Sequence, residues 1–226
     1  MKISPLMNTI PNDKLFYAIF QTRWGFFGLA GRQNALLRSV LPAADEKTAE
    51  KLLLKNLKNP IRDKKFCQNL QQKIQAYFKD NPVDFNDTLI DINQFNYFTK
   101  SVLTACRSIT FAETASYGQL AKKIASPLAA RAVGSALAQN PLPLIIPCHR
   151  IIRSDSLPGG FSAPGGTNLK SKLLNHESTC LVVPKAPNFY PPFVWRIMLG
   201  VDPAGPPPAD GRGYKRLSKD LNLCTF

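Results

Sequence analysis

The sequence predicts a two-domain α+β protein: a small sheet-and-helix domain over residues 1–91, a helical domain over 92–177, and a proline-rich extension over 178–226. Three observations carry this reading. Short apolar stretches rich in β-formers fill the first forty residues, helical spacing takes over from Asn93, and eight prolines crowd into residues 184–208. The chain has 226 residues and 44% hydrophobic side chains, enough for a real core without disulfides.

The elements follow in order. Leu15 to Phe20 and Phe26 to Ala30 flank Arg23-Trp24-Gly25 and read as a β-hairpin, with Leu36 to Leu41 continuing the sheet. Helical patterns cover Asp45 to Leu57 and Arg62 to Phe78, the second with Phe66, Leu70, Ile74, Tyr77 and Phe78 at helical spacing, and Asn81-Pro82 ends it. Phe95, Phe98, Val102, Leu103 and Cys106 form one face of a helix that stops before Ile109. Ser116 and Gln119 make a capping box for a helix from Tyr117 to about Ile124. Ser126-Pro127 repeats the start signal for a second helix to about Gln139, and two short helices so close together suggest helix-turn-helix. The second is rich in small residues, with Arg131 as its one charge: a face smooth enough to enter a nucleic-acid groove, or alanines packed on a neighbour with a solvated arginine.

Charge and cysteine usage narrow the function. A formal net charge of +14 and a pI near 9.8 favour a polyanionic partner, nucleic acid or an anionic membrane surface. Residues 92–177 are the most lopsided, with nine basic and three acidic groups. No apolar run is long enough to span a bilayer, and Met1 to Lys14 lacks a secretory hydrophobic core, so a reducing compartment is expected. Five scattered cysteines without a CxxC pair fit thiols better than a disulfide framework. With His149 and His176 the only histidines, a structural zinc site is not expected.

The most informative stretch is Asn140 to Ile152. Two prolines approach an apolar strand that ends in a thiol, Cys148, between Pro147 and His149. Basic neighbours are the setting that lowers a thiol pKa and yields a nucleophilic thiolate. Cys67, Cys106, Cys180 and Cys224 read as small hydrophobes.

The run Pro147-Cys148-His149-Arg150-Ile151 resembles the active-site signature of the O6-alkylguanine-DNA alkyltransferases, direct-reversal DNA repair proteins. So do FAETASYGQL (111–120), AARAVGSALAQN (129–140), Gly159-Gly160-Phe161, Gly165-Gly166 and KSKLLNHE (170–177), in the same order across about 70 residues; TRWGFFGLA (22–30) is similar more weakly. The resemblance implies a ribonuclease H-like sheet-plus-helix N-terminal domain and a winged helix-turn-helix-like motif in the C-terminal one. It also implies a cofactor-free, metal-free, single-use transfer of a methyl or larger alkyl group from O6 of guanine, and from O4 of alkylthymine as an open extension, to a cysteine in the protein. The partner is double-stranded DNA held through the minor groove by a monomer. The location is cytoplasmic, at the nucleoid in a bacterium or nuclear in a eukaryote.

Residue by residue, the same resemblance makes Cys148 the acceptor, His149 its base through a water, and Glu177 the residue that orients the imidazole. Glu177 equally reads as a helix-surface acid. Tyr117 would crowd the phosphate 3′ of the lesion, promote base flipping and aid proton transfer to guanine, and Arg131 would fill the vacated stack. Ala132, Gly134 and Ser135 complete the DNA face. Asn140 would brace the active-site turn, Arg150 would bridge the domains or meet the DNA backbone, Gly159, Gly160 and Ser162 would wall the base pocket, and Lys170, opening the last helix, would favour thiolate at Cys148. Ala112 and Ser156 stand where the family commonly has glycine, and Ala163-Pro164 reads as an insertion in the pocket loop. Two rivals remain: a damage sensor or regulator on the same scaffold, which the presence of Cys148 disfavours, and a Cys-His hydrolase, for which no oxyanion motif is present.

Overall fold

The computed structural model describes residues 14–33 and 35–182, with the side chains of 181 and 182 outside the description. Expectations about the proline-rich extension, Cys224 and the first thirteen residues lie outside the described residues.

Antiparallel strands β1 (Phe16–Thr22), β2 (Gly25–Arg32) and β3 (Ala35–Ala43) form a meander. Its first turn is the Arg23-Trp24 corner expected from sequence. Alternation along β1 decides which layer each side chain joins. Tyr17 and Ile19 face helix α1 (Glu46–Leu54) in a small cluster with Ala30, Val40, Ala49 and Leu53. Ala18, with Phe27 and Leu29 of β2, faces helix α2 (Gln68–Tyr77) and the main core. Asp45 caps α1, accepting from the Thr48 amide at 2.8 Å and satisfying one of the amides that the first turn leaves open.

Two boundaries differ from the sequence reading. Ile61–Arg62 is a short strand, β4, parallel to β1, so the sheet order is β3-β2-β1-β4. The helix expected from Arg62 begins only at Gln68, after Cys67 in a left-handed conformation, because strand pairing of residues 61–62 takes precedence over local helical spacing.

Helix α3 (Tyr97–Arg107) buries Thr99, Val102, Leu103 and Cys106 on the expected face and ends before Ile109. Helix α4 (Tyr117–Lys123) starts with the full capping box of Ser116 and Gln119. Helix α5 (Ala130–Ala138) starts three residues later than Ser126-Pro127 suggested. Ser126 supplies no side-chain cap, and its carbonyl accepts from Ala129 in a turn that precedes the helix. The buried face of α5, Val133, Ala136 and Leu137, packs against α3 and α4; Arg131, Ala132 and Ser135 are left on its exposed side.

Leu142 to Ile146 is buried as expected but is a turn, not a strand: the Ile146 amide donates to the Leu142 carbonyl at 2.8 Å. The two prolines leave too few amides for a ladder. The edge of β3 holds this segment, as Ser39 donates from its amide and hydroxyl to the Pro141 and Pro143 carbonyls. A 3-10 turn over Cys148–Arg150 leads into β6 (Ile151–Ile152), which pairs in parallel with β5 (Ala115–Ser116) just before α4. Helix α6 (Gly166–Val182) closes the described chain. No described helix is long and apolar enough to cross a membrane.

Candidate active site

The β5–β6 pair sets the geometry of the site. It fixes the 3-10 turn that presents Cys148 beside the N-terminus of α4, so Tyr117, the first residue of that helix, stands next to the thiol-bearing turn. The Tyr117 ring lies between Gly134 of α5 and Gly159 of the following loop. A Cβ on Gly159, whose φ is +70°, would come within 3.1 Å of the Tyr117 hydroxyl, so backbone conformation and crowding both require glycine.

Asn140 holds the turn from the other side. Its Nδ2 donates to the Ile146 carbonyl at 2.8 Å and to Cys148 Sγ at 3.1 Å, while Oδ1 accepts from the Leu142 amide at 3.0 Å. Asn140 therefore contacts both the turn and the sulfur.

Behind the thiol lies a fully buried polar chain. His149 is 0% exposed and Glu177, reaching in from α6, is 1% exposed, which removes the reading of Glu177 as a surface acid. His149 Nε2 lies 2.8 Å from Glu177 Oε1, and an ionised carboxylate only accepts, so Nε2 carries the hydrogen. His149 Nδ1 is then a lone-pair acceptor, buried with no protein partner. Glu177 collects four further bonds: Arg150 Nε at 2.9 Å, Arg150 Nη2 at 3.0 Å, the Tyr77 hydroxyl at 2.8 Å and the Ala112 amide at 2.9 Å.

Charge states follow from these surroundings. Burial raises the Glu177 carboxyl, but the His149 hydrogen bond and the Arg150 hydrogen bonds and charge outweigh it and hold it far below the usual carboxylate range. Burial pushes the His149 imidazole down, more than Glu177 pulls it up. Burial also pushes the Cys148 thiol up, against the Asn140 hydrogen bond and the Lys170 charge. The expectation of a thiol lowered by basic neighbours is therefore corrected: desolvation of Cys148, a residue 9% exposed, outweighs them and favours the neutral thiol, as burial favours the neutral imidazole.

Lys170 is 1% exposed in the second turn of α6 rather than at its start. Its ammonium donates to the Ile151 carbonyl and lies 3.4 Å from the Tyr117 hydroxyl and the Gly160 carbonyl. Arg150 is buried too, donating to the Ile109 carbonyl at 2.7 Å with Phe111 packed against it, so it is an internal strut and does not reach a DNA backbone. Ala112 and Ser156 both have left-handed backbones, φ 60° and 63°, which accounts for the glycine otherwise found there.

Two cavities meet at Cys148. The larger, about 540 Å³, is lined by Tyr117, Arg131, Gly134, Ser135, Gly160 and Ser162 among others; the smaller, about 220 Å³, by Arg38, Asn140, Ala163 and Pro164 among others. Ala163-Pro164 therefore line the cleft away from Arg131. Ser162 also donates to the Ala138 carbonyl at 3.1 Å, joining the loop to the end of α5. Cys148, His149 and Glu177 do not form a cluster able to share a metal ion.

Sequence reasoning missed Tyr77, Phe111 and the Ala112 amide. Tyr77 sat in an apolar helical stripe, where nothing distinguishes a hydroxyl aimed at a partner a hundred residues away.

Known proteins similar to this chain point to one family. A family described as the DNA-binding domain of 6-O-methylguanine DNA methyltransferase matches residues 97–179. A methylated-DNA–protein-cysteine methyltransferase of Methanocaldococcus vulcanius is 40% identical over 155 residues, 67% of this chain and 91% of that one. Its namesake in Methanosarcina acetivorans is 31% identical over 166 residues, 74% of this chain and 100% of that one. The crystal structure of Mycobacterium tuberculosis O6-methylguanine methyltransferase superimposes with a TM-score of 0.61 at 28% identity, covering 77% of this chain and 96% of that one. A structure of the same bacterium's OGT in complex with DNA gives 0.61 at 29%, covering 73% and 94%. The chain belongs to the methylated-DNA–protein-cysteine methyltransferase family.

Proposed function

We propose that this protein repairs DNA by direct reversal, moving an alkyl group from O6 of guanine to Sγ of Cys148. The observation that carries this reading is the adjacency of Cys148, with its Asn140 donor, to the buried pair of His149 and ionised Glu177, at the wall of a cavity flanked by Arg131.

The resting thiol is neutral, so the thiolate forms as it is used. His149 Nδ1 takes the Cys148 proton, through a water, and Glu177 stabilises the imidazolium that results. Asn140 Nδ2 donates to the developing thiolate, and the Lys170 charge lies near it. Sulfur then attacks the alkyl carbon in line: an S–C bond forms, the C–O6 bond breaks, and its electron pair stays with the purine. A proton returned to guanine balances the one lost by the thiol, and Tyr117 assists that return. The thioether has no easy reverse route, so each molecule acts once.

The alkylated base must leave the duplex to reach Cys148, at a cost of a few kcal/mol in unstacking. Arg131 on the exposed side of α5 fills the gap, and Ala132, Gly134 and Ser135 let the helix lie close to the minor groove. Gly160 and Ser162 wall the pocket that receives the base, and Gly159 holds Tyr117 in place. The α4–α5 pair with the loop over 153–165 supports a winged helix-turn-helix-like motif over residues 92–177. The β3-β2-β1-β4 order, with β4 parallel to β1, supports a ribonuclease H-like domain among the described residues of the 1–91 span. The protein acts as a monomer, without metal or cofactor in the transfer itself.

Incubation with a duplex carrying tritiated O6-methylguanine tests this reading. Permanent transfer of up to one label per chain is expected, together with binding that weakens steeply with salt. Turnover of an ester or amide by Cys148, or tight binding without label transfer, would replace it with the hydrolase or sensor reading.

A further inference from the structure

His176 and Cys180 are four residues apart on α6 and so share one helix face. The end of α2 brings Asp80 against that face. His176 Nδ1 is 3.4 Å from Asp80 Oδ1, and one ligand atom from each of Asp80, His176 and Cys180 lies within 4.8 Å of the other two. A separation of 3.4 Å is long for a charge-assisted hydrogen bond. It matches the roughly 3.4 Å between nitrogen and oxygen ligands at the corners of a tetrahedron with zinc bond lengths of about 2.0–2.1 Å.

The groups around the cluster orient it toward a cation. His176 Nε2 is 2.7 Å from the Tyr77 carbonyl, which only accepts; Nε2 therefore carries a hydrogen, and the singly protonated ring turns the Nδ1 lone pair toward Asp80. A backbone carbonyl on the second ring nitrogen is the usual outer support of a metal-bound histidine. Arg23 holds the other carboxylate oxygen, Asp80 Oδ2, at 2.7 Å and leaves Oδ1 directed at the imidazole. Trp24, Tyr77 and Phe78 pack around the ring and fix its orientation, and Lys172 lies over the outer face of Trp24.

We propose that Asp80, His176 and Cys180 bind a divalent cation of the zinc class through carboxylate, imidazole and thiolate, with water as the fourth ligand. Thiolate and imidazole together select zinc over magnesium or calcium. Binding releases the Cys180 proton to solvent, so affinity falls as pH falls. The cation would tie the end of α2 to α6 one residue from Glu177, and its role is structural. The site stands apart from Cys148 and does not depend on the alkyl-transfer reading. Asp80 comes so much earlier in the chain than His176 that no spacing rule could reveal the set.

The test uses the full-length chain, stripped with a chelator and titrated with Co²⁺ alone, then Zn²⁺ alone. One equivalent of cobalt is expected to give tetrahedral d–d bands and a thiolate-to-cobalt charge-transfer band, both lost on adding zinc. Zinc is expected to raise the melting temperature and to protect the Cys180 peptide, but not the Cys148 peptide, from iodoacetamide. Cys180→Ser should lose the charge-transfer band, and Asp80→Asn and His176→Gln should each weaken zinc binding at least tenfold. Absence of cobalt binding by the unmutated chain, a Cys180→Ser protein with an undiminished band, or protection that maps to another cysteine would each overturn the proposal. If a variant fails to fold, the protection pattern of the unmutated chain decides by itself.

Discussion

Replacing Glu177 with glutamine tests the buried chain because every partner of that carboxylate is a donor. Oε1 accepts from His149, Arg150 Nη2 and Tyr77; Oε2 accepts from Arg150 Nε and the Ala112 amide. A glutamine can turn its NH₂ group to either side. With NH₂ at the Oε2 position, Arg150 Nε and the Ala112 amide lose their acceptor. With NH₂ at the Oε1 position, the Tyr77 hydroxyl can reverse and accept, but Arg150 Nη2 loses its bond. His149 must then shift its hydrogen to Nδ1, where the base is needed. The first orientation orphans two buried groups and the second one, and either leaves the Arg150 charge unpaired, at a cost of about 3–5 kcal/mol. That is a large part of the roughly 5–15 kcal/mol that holds a domain together. Urea unfolding of Glu177→Gln should show this loss, and single-turnover alkyl transfer on the material that remains folded should slow by about 10²–10⁴-fold. A variant with the unmutated stability and transfer rate would refute the buried chain.

Other consequences are separately measurable. Asn140→Ala removes a side-chain donor to Cys148 Sγ, so transfer and iodoacetamide capture at Cys148 should each slow by about 10- to 100-fold, from a charge-assisted bond of about 1.5–3 kcal/mol. A lowered His149 keeps the base neutral below the ordinary imidazole value of 6.5, so the transfer rate should hold steady through that pH and fall only in more acid solution. Stability has a related pH dependence. Glu177 and His149 both have folded values below their unfolded ones, so each contributes stability that is present above the unfolded value, 4.5 and 6.5 respectively, and lost as pH falls toward the folded one. Urea midpoints should therefore drop steadily from about pH 7 to about pH 4, and a flat profile would contradict the assigned charge states. Ser156→Gly, at a φ of 63° in an exposed turn, should stabilise by about 1 kcal/mol in thermal melts.

Much of this site is legible in the sequence because its parts are local. The Ser116–Gln119 capping box places Tyr117 at a helix start, and Pro147-Cys148-His149-Arg150 groups the acceptor with its base. The apolar faces of α3 and β1 carry periods that fix their burial. What the sequence hides depends on contacts distant along the chain. Residues 61–62 pair with β1 and delay α2, a preference no local propensity reveals. Leu142 to Ile146 reads as a strand because buried turns and buried strands are equally apolar. The protonation of Cys148 is hidden for the same reason: neighbours in sequence are basic, but the depth of the sulfur, which only packing determines, decides which way the thiol shifts. Arg150 reads as a domain bridge or a DNA-backbone contact, and only Glu177, reaching in from α6, decides that it is enclosed.

Peptide mass mapping after exposure to a duplex containing O6-methylguanine is the most direct measurement. A single methyl group on the Cys148 peptide, guanine restored in the DNA and no further product once each chain is modified is the expected result. Methylation of another cysteine, more repaired guanine than protein, or an unmodified Cys148 in folded material would contradict the account.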